Sequence, residues 1–293
     1  MARPKGRLAL FFARWLPHRM WVQAGFLLIW LDLLGFRYHG ICSPVLHCYA
    51  CPMSAFACPI GVVANFSALH LVPLVAIGVL LVLGGLVGSL WCGWACPFGL
   101  LQDLAAKASR RTFELPRWSG HFRLVILILA VVLVPYLFGE AHPLFICRIC
   151  PAGGIEAAVP SVLGQLLSGQ NVAWPSPIKI GIVLAFLVAI FFFRRPWCRT
   201  LCPLGWILAM LNKISMFFLH LDRDACTDCK ACQRLCRYNI EPQKSPNDLR
   251  CIRCLECTKC PTGAIQVRMA LQIPSLIKPS RPHVNPGKSA GPQ

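Results

Sequence analysis

The sequence predicts an α-helical integral membrane protein: four transmembrane helices in two parallel repeats, followed by a small cytoplasmic α+β domain built on eight cysteines. Three observations carry this reading. The 293 residues are 56% hydrophobic and only 14% charged, with a mean hydropathy of +0.60, so lipid is the expected solvent for much of the chain. Four apolar stretches alternate with connections that carry basic residues or cysteines. Eight of the 18 cysteines crowd into residues 226–260.

Residues 1–20 are a basic lead-in with Arg3, Lys5, Arg7, Arg14 and Arg19. No small-residue cleavage site follows before Arg37, so an uncleaved first span is expected over about 21–36. That stretch is short for a hydrocarbon core of about 30 Å and must borrow flanking residues. Asp32, near its outer end, reads as an interfacial carboxylate rather than a proton relay. The second span is Leu69 to Trp91, kinked at Pro73; the third is Phe122 to Gly139 and the fourth Ile178 to Phe193. Two hairpin repeats result, residues 21–121 and 122–215. Residues 216–270 form the cysteine domain, and 271–293, rich in Pro, Ser, Gly and Lys, are expected to be a disordered tail.

The basic residues orient these spans. Lys107, Arg110, Arg111 and Arg117 follow span two, and Arg194, Arg195 and Arg199 follow span four. The opposite connections offer little beyond Arg37 and Arg148. The positive-inside rule therefore places both termini in the cytoplasm. The formal charge of +18 reads as this topology signal, with membrane lipid and not nucleic acid as the partner.

In the C-terminal domain, Cys226-x2-Cys229-x2-Cys232-x3-Cys236 is followed, after fourteen residues, by Cys251-x2-Cys254-x2-Cys257-x2-Cys260 and Pro261. Two-residue gaps let a tight loop turn soft sulfurs toward one point, which suits iron–sulfur or zinc. The spacing is that of a two-cluster ferredoxin-like domain, in which three close thiolates hold one [4Fe-4S] cluster and a distant fourth serves the other. Crossed ligation puts Cys226, Cys229, Cys232 and Cys260 on one cluster, and Cys251, Cys254, Cys257 and Cys236 on the second. Two features depart from the pattern: only two residues precede Cys260, and Arg237 stands where a proline often follows. The alternative is a pair of four-cysteine zinc sites, whose separated CxxC knuckles match this spacing poorly.

Cys-Pro-x-Gly occurs five times, beginning at Cys58, Cys96, Cys150, Cys202 and Cys260. Proline suits the first position of a helix, which leaves the cysteine at the helix start, where free N–H groups favour a thiolate or an anionic cluster. Cys92-x3-Cys96-Pro97 follows span two and Cys198-x3-Cys202-Pro203 follows span four. A pseudo-two-fold along the membrane normal would bring these four cysteines together to ligate a further iron–sulfur cluster. In the alternative, CxxxCP only shapes helix ends and its cysteines pack as small apolar residues. On the outer side, Cys48, Cys51, Cys58, Cys147 and Cys150 are a second candidate metal set, with disulfides as the competing reading.

The paired motifs WCGWACPFGLLQD and WCRTLCPLG, the four spans and the eight-cysteine domain together resemble the membrane polyferredoxins. These are typified by the NapH subunit of periplasmic nitrate reductase systems and the membrane half of the nitrous-oxide-reductase regulator. The resemblance covers about residues 20–267. It implies an electron-transfer subunit of the quinol dehydrogenase type, part of a multi-subunit complex, exchanging electrons with the quinone pool and with periplasmic and cytoplasmic redox proteins. The outer cysteines, Cys42 included, depart from the family pattern. Two other functions stay open: a thiol–disulfide relay using the outer cysteines, and an assembly or regulatory factor for a periplasmic metalloenzyme. No Ser–His–Asp set, phosphate loop or carboxylate pair supports a hydrolase or kinase. His39, His47, His70 and His142 are candidates for quinone or haem, though such residues are more often structural.

Overall fold

Proline and glycine cut the apolar stretches into helices shorter than the stretches themselves. The computed structural model describes residues 7–31, 38–48, 50–51, 54–109, 113, 115–172, 174–236 and 238–270. Arg3, Lys5, Asp32, Arg37, Arg110, Arg111, Arg237, the end of the first expected span and the 271–293 tail lie outside the described residues.

An N-terminal helix, Arg7–Trp15, turns through Leu16–His18 at Pro17 and continues as Arg19–Trp30. The first span thus begins two residues earlier than expected, and its helix stops where Leu31 becomes extended. The second span is corrected as well. Pro73 does not kink a helix; residues 69–73 form a turn with His70 at φ 57°, and the helix is Leu74–Val87. The physical reason is that proline lacks the N–H an interior position must donate, so it is tolerated at a helix start. A separate helix, Pro59–Ala68, precedes this turn.

Helical backbone runs without a break from residue 117 to 138, ending at Gly139 with φ 71°, as the third span requires. Its register widens to a π-helix over Leu127–Leu133, two residues before Pro135. A second π segment, Gly154–Ala158, ends two residues before Pro160. In each case the proline ring displaces the carbonyl one turn back, and the wider register absorbs the displacement. Pro177–Phe192 is the fourth apolar helix, its start capped by Ser176 Oγ accepting from Lys179 N.

Among the described residues, Trp118–Phe138 alone is long and apolar enough to cross a bilayer by length and composition; Pro59–Ala68, Leu74–Val87 and Pro177–Phe192 are apolar but shorter. These helices expose large apolar side chains, including Leu74, Val82, Ile128, Val132, Leu184 and Val188. The core behind them combines both halves of the chain: Phe98 stacks on Phe186 at 5.0 Å, and Cys58, Cys96 and Cys202 belong to one buried cluster.

The C-terminal domain is closed by a two-stranded antiparallel sheet, Phe217–Leu221 against Ile265–Met269. Alternation buries Phe217, Leu219, Ile265 and Val267 on its inner face. Between the strands lie the two cysteine segments, with short helices at Ala231–Leu235 and Glu256–Lys259. Phe12 of the N-terminal helix meets Phe217 and Trp94 edge-on at 5.3 and 5.4 Å. The N-terminal helix and the C-terminal domain therefore share one face of the protein.

Candidate functional site

Four of the five Cys-Pro-x-Gly segments adopt one local geometry. Cys58, Cys96, Cys150 and Cys202 each precede a helix in extended backbone, with φ between −70° and −78° and ψ between 110° and 121°. Proline takes the first helical position, and at Cys202 the thiol accepts a hydrogen bond from the glycine N–H three residues on. Gly205 N to Cys202 Sγ is 3.4 Å. The glycines also keep space open. A Cβ on Gly99 would stand 3.1 Å from the Arg195 guanidinium. The fifth segment is a correction: Pro261 starts no helix, and Cys260 leads into a turn with Gly263 at φ 68°. A left-handed glycine there ends the run and sends the chain directly into the last strand.

The two CxxxCP pairs come together. Cys92, Cys96, Cys198 and Cys202 are each within electrostatic reach of the other three. Gln102 Nε2 donates to Cys198 Sγ at 3.1 Å. Two buried guanidinium groups face this set. Arg195 donates to the Cys92 carbonyl at 2.8 Å and grips Asp103 through Nε and Nη2 at 2.8 and 2.6 Å. Asp103 also receives Arg19 at 2.7 Å. Arg123 donates to the carbonyls of Gly120, Gly205 and Leu249, and its charge reaches Cys92, Cys198 and Cys202. Four thiols beside buried cations are the donor set and charge balance an anionic iron–sulfur cluster calls for.

In the C-terminal domain, Cys232 lies within electrostatic reach of Cys226 and Cys260, and Cys236 lies within reach of Cys251, Cys254 and Cys257. Cys229 is exposed. Cys257 is also within reach of Cys232, so the two sets adjoin. Burial pushes Cys251 up to about 12, so a bare thiol there keeps its proton until a metal displaces it. Burial also acts to raise Cys260, but hydrogen bonds from Thr262, Ala264 and Ile265 outweigh it and lower its pKa. Among the described residues no three His, Cys, Asp or Glu side chains converge tightly enough for a single ion. A cubane binds each thiolate at a different iron, so its donors stand further apart.

The two centres touch. Cys92 packs against the buried cluster of Tyr238, Ile240, Ile252 and Cys254, and a Cβ on Gly93 would lie 2.6 Å from the Ile252 carbonyl oxygen. Arg253, fully buried between them, donates to the carbonyls of Val87, Asn212 and Phe217 and to Ser215 Oγ. Ser89 Oγ and Asn212 Nδ2 both donate to the Cys251 carbonyl, at 2.7 and 3.0 Å.

The remaining cysteines divide. Cys48, Cys58, Cys147 and Cys150 form one mutually interacting group, with Cys51 near Cys48. Cys42 is apart, buried against Ala57 and Ala76.

A 4Fe-4S binding domain model matches residues 69–116 and 177–221, once in each half, and each match contains one CxxxCP pair. An uncharacterized protein of Methanocaldococcus jannaschii is 30% identical over 185 residues, 60% of this chain and 69% of that protein. The putative electron transport protein YccM of Escherichia coli is 26% identical over 190 residues, covering 62% and 51%. The methylamine utilization ferredoxin-type protein MauN of Methylobacillus flagellatus is 27% identical over 242 residues, 78% of both chains. The chain belongs to the NapH-like and NosR-like polyferredoxins. No solved structure gives a significant match. As a polyferredoxin, it is a member of an iron–sulfur electron transport family. Sequence reasoning missed the supporting groups Arg123, Arg195, Asp103, Arg253 and Gly93. Only Gly93, Gln102 and Asp103 left a signal, lying within WCGWACPFGLLQD.

Proposed function

We propose that this polyferredoxin relays electrons between two [4Fe-4S] clusters in its C-terminal domain and a further cluster held by Cys92, Cys96, Cys198 and Cys202. When bound, such clusters supply one-electron transfer; the protein supplies position and potential. The carrying observation is the close approach of Gly93 to the Ile252 and Arg253 carbonyls, beside Cys92 packed against the cluster that includes Ile252 and Cys254. Arg253 locks its own loop to the helix ends at Val87 and Asn212, so the spacing between centres is rigid. Arg195 and Arg123 offset the charge of the four thiolates, which favours holding an added electron.

The exposed apolar helices support a bilayer as the surroundings, with four re-entrant or spanning segments and both termini on the cytoplasmic side. From there the relay serves the quinone pool or a periplasmic redox partner within a multi-subunit complex. The relay draws on YccM, a relative named for electron transport, and the regulatory alternative on the two relatives named regulatory protein NosR.

The test is electron transfer across vesicles reconstituted with the full chain, with dithionite outside and ferricyanide sealed inside. Ferricyanide should be reduced at a rate that falls at least tenfold in Cys198→Ser. Equal rates in wild type and variant would refute the relay.

A further inference from the structure

The second group of thiols is not used by the relay described so far, although it is built on the same plan. Cys58 and Cys150 are the two remaining helix-starting cysteines. Cys58 stands at the start of Pro59–Ala68 and Cys150 at the start of the helical run that opens at Pro151, both in the same extended backbone. One comes from each half of the chain, as Cys96 and Cys202 do. Cys48 and Cys147 complete a group of four.

The surroundings are shaped for a ligand. Glu156 Oε2 accepts from the Cys48 backbone N–H at 2.9 Å and pairs with His47 Nδ1 at 3.0 Å, fixing the turn that presents Cys48. His47 is 2% exposed and its Nε2 is buried with no hydrogen-bond partner. A Cβ on Gly153 would stand in ordinary contact, 3.5 Å from Cys48 Sγ and 3.7 Å from Lys179 Nζ, so the turn after Cys150 lies directly beside the Cys48 thiol and the ammonium. Lys179 supplies a cation within reach of Cys48 and Cys147.

We propose that Cys48, Cys58, Cys147 and Cys150 ligate another iron–sulfur cluster of the four-thiolate class, with Cys51 and Cys42 outside the ligand set. Assembly exchanges the four thiol protons for iron, and Lys179 and His47 then face the cluster's negative charge. The position relative to the first membrane site gives this one a role. The Leu46 carbonyl oxygen is 3.9 Å from Cys96 Sγ, and Cys48 is two residues further along. Two residues span at most about 7 Å, so one short segment joins the two thiol groups. As a next station for electrons the site rests on the relay proposed above; as a ligand set it does not.

Iron and acid-labile sulfide are measured per full chain, purified without oxygen, for wild type, Cys58→Ser, Cys150→Ser, Cys51→Ser and Cys92→Ser. Cys58→Ser and Cys150→Ser should each lose about four iron atoms while the reduced ferredoxin-domain EPR signals persist, and Cys51→Ser should lose none. Wild-type iron in both Cys58→Ser and Cys150→Ser overturns the site. A wild-type measurement guards against misfolded variants: alkylation and disulfide mapping of the anaerobic chain should find these four cysteines unpaired. A disulfide between any two of them overturns the proposal in favour of a thiol relay. Failure of the relay itself would appear separately, as unchanged iron in Cys92→Ser.

Discussion

Gly93 is pressed against Ile252: a side-chain carbon on the glycine would lie 2.6 Å from the isoleucine carbonyl oxygen. The glycine sits between Cys92 and Cys96, and the isoleucine between Cys251 and Cys254. The two cysteine groups therefore meet at a backbone contact that any other residue would pry apart. Gly93→Val should cost about 1–3 kcal/mol as an overpacked core does. The cost should appear as a lower melting temperature, with slowed electron transfer into the membrane site. Gly78→Val, with open space where a Cβ would go, serves as the control and should leave both unchanged.

Asp103 holds two arginines, Arg195 and Arg19, and Arg195 is 1% exposed. Removing the carboxylate charge leaves a buried guanidinium without its counter-ion, a loss of about 3–5 kcal/mol. Asp103→Asn should accordingly lower thermal stability in detergent far more than Lys244→Gln, which breaks an exposed pair with Glu241. Comparable melting temperatures in the two variants would contradict this.

The paired thiols of the C-terminal domain predict separable losses. Cys229→Ala and Cys254→Ala should each remove about four iron atoms per chain, from different clusters, leaving one EPR signal intact in each case. Zinc in place of iron after anaerobic purification would contradict the assignment.

Much of this was legible in the sequence because cysteine and proline report directly on local geometry. The repeated Cys-Pro-x-Gly predicted a helix start that four of the five copies adopt. Helix lengths were not legible. Hydropathy runs continuously through Pro73, whereas the missing N–H there ends hydrogen bonding and makes a turn. The candidate set already left out Cys42, but nothing in the sequence separated Cys51 from the four cysteines that the fold groups. Arg253 illustrates the same limit: its partners Val87, Asn212 and Phe217 are distant in sequence, and nothing about an arginine in CIRC announces burial.

The shared face of the N-terminal helix and the C-terminal domain predicts a common side for both ends of the described chain. A reporter fused after Ala270, beyond the last strand, should be active in its cytoplasmic form, and one placed at the His70 turn in its periplasmic form. Alkaline phosphatase activity at Ala270 would reverse the orientation.

The central claim is that both halves of the chain donate thiolates to one cluster beside the ferredoxin-like domain. It is tested most directly by iron and acid-labile sulfide in the full chain carrying Cys96→Ser together with Cys202→Ser. The account predicts a loss of about four iron and four sulfide relative to wild type, with both ferredoxin-domain signals retained on reduction. Wild-type iron and sulfide in a variant that melts like the wild type would contradict it.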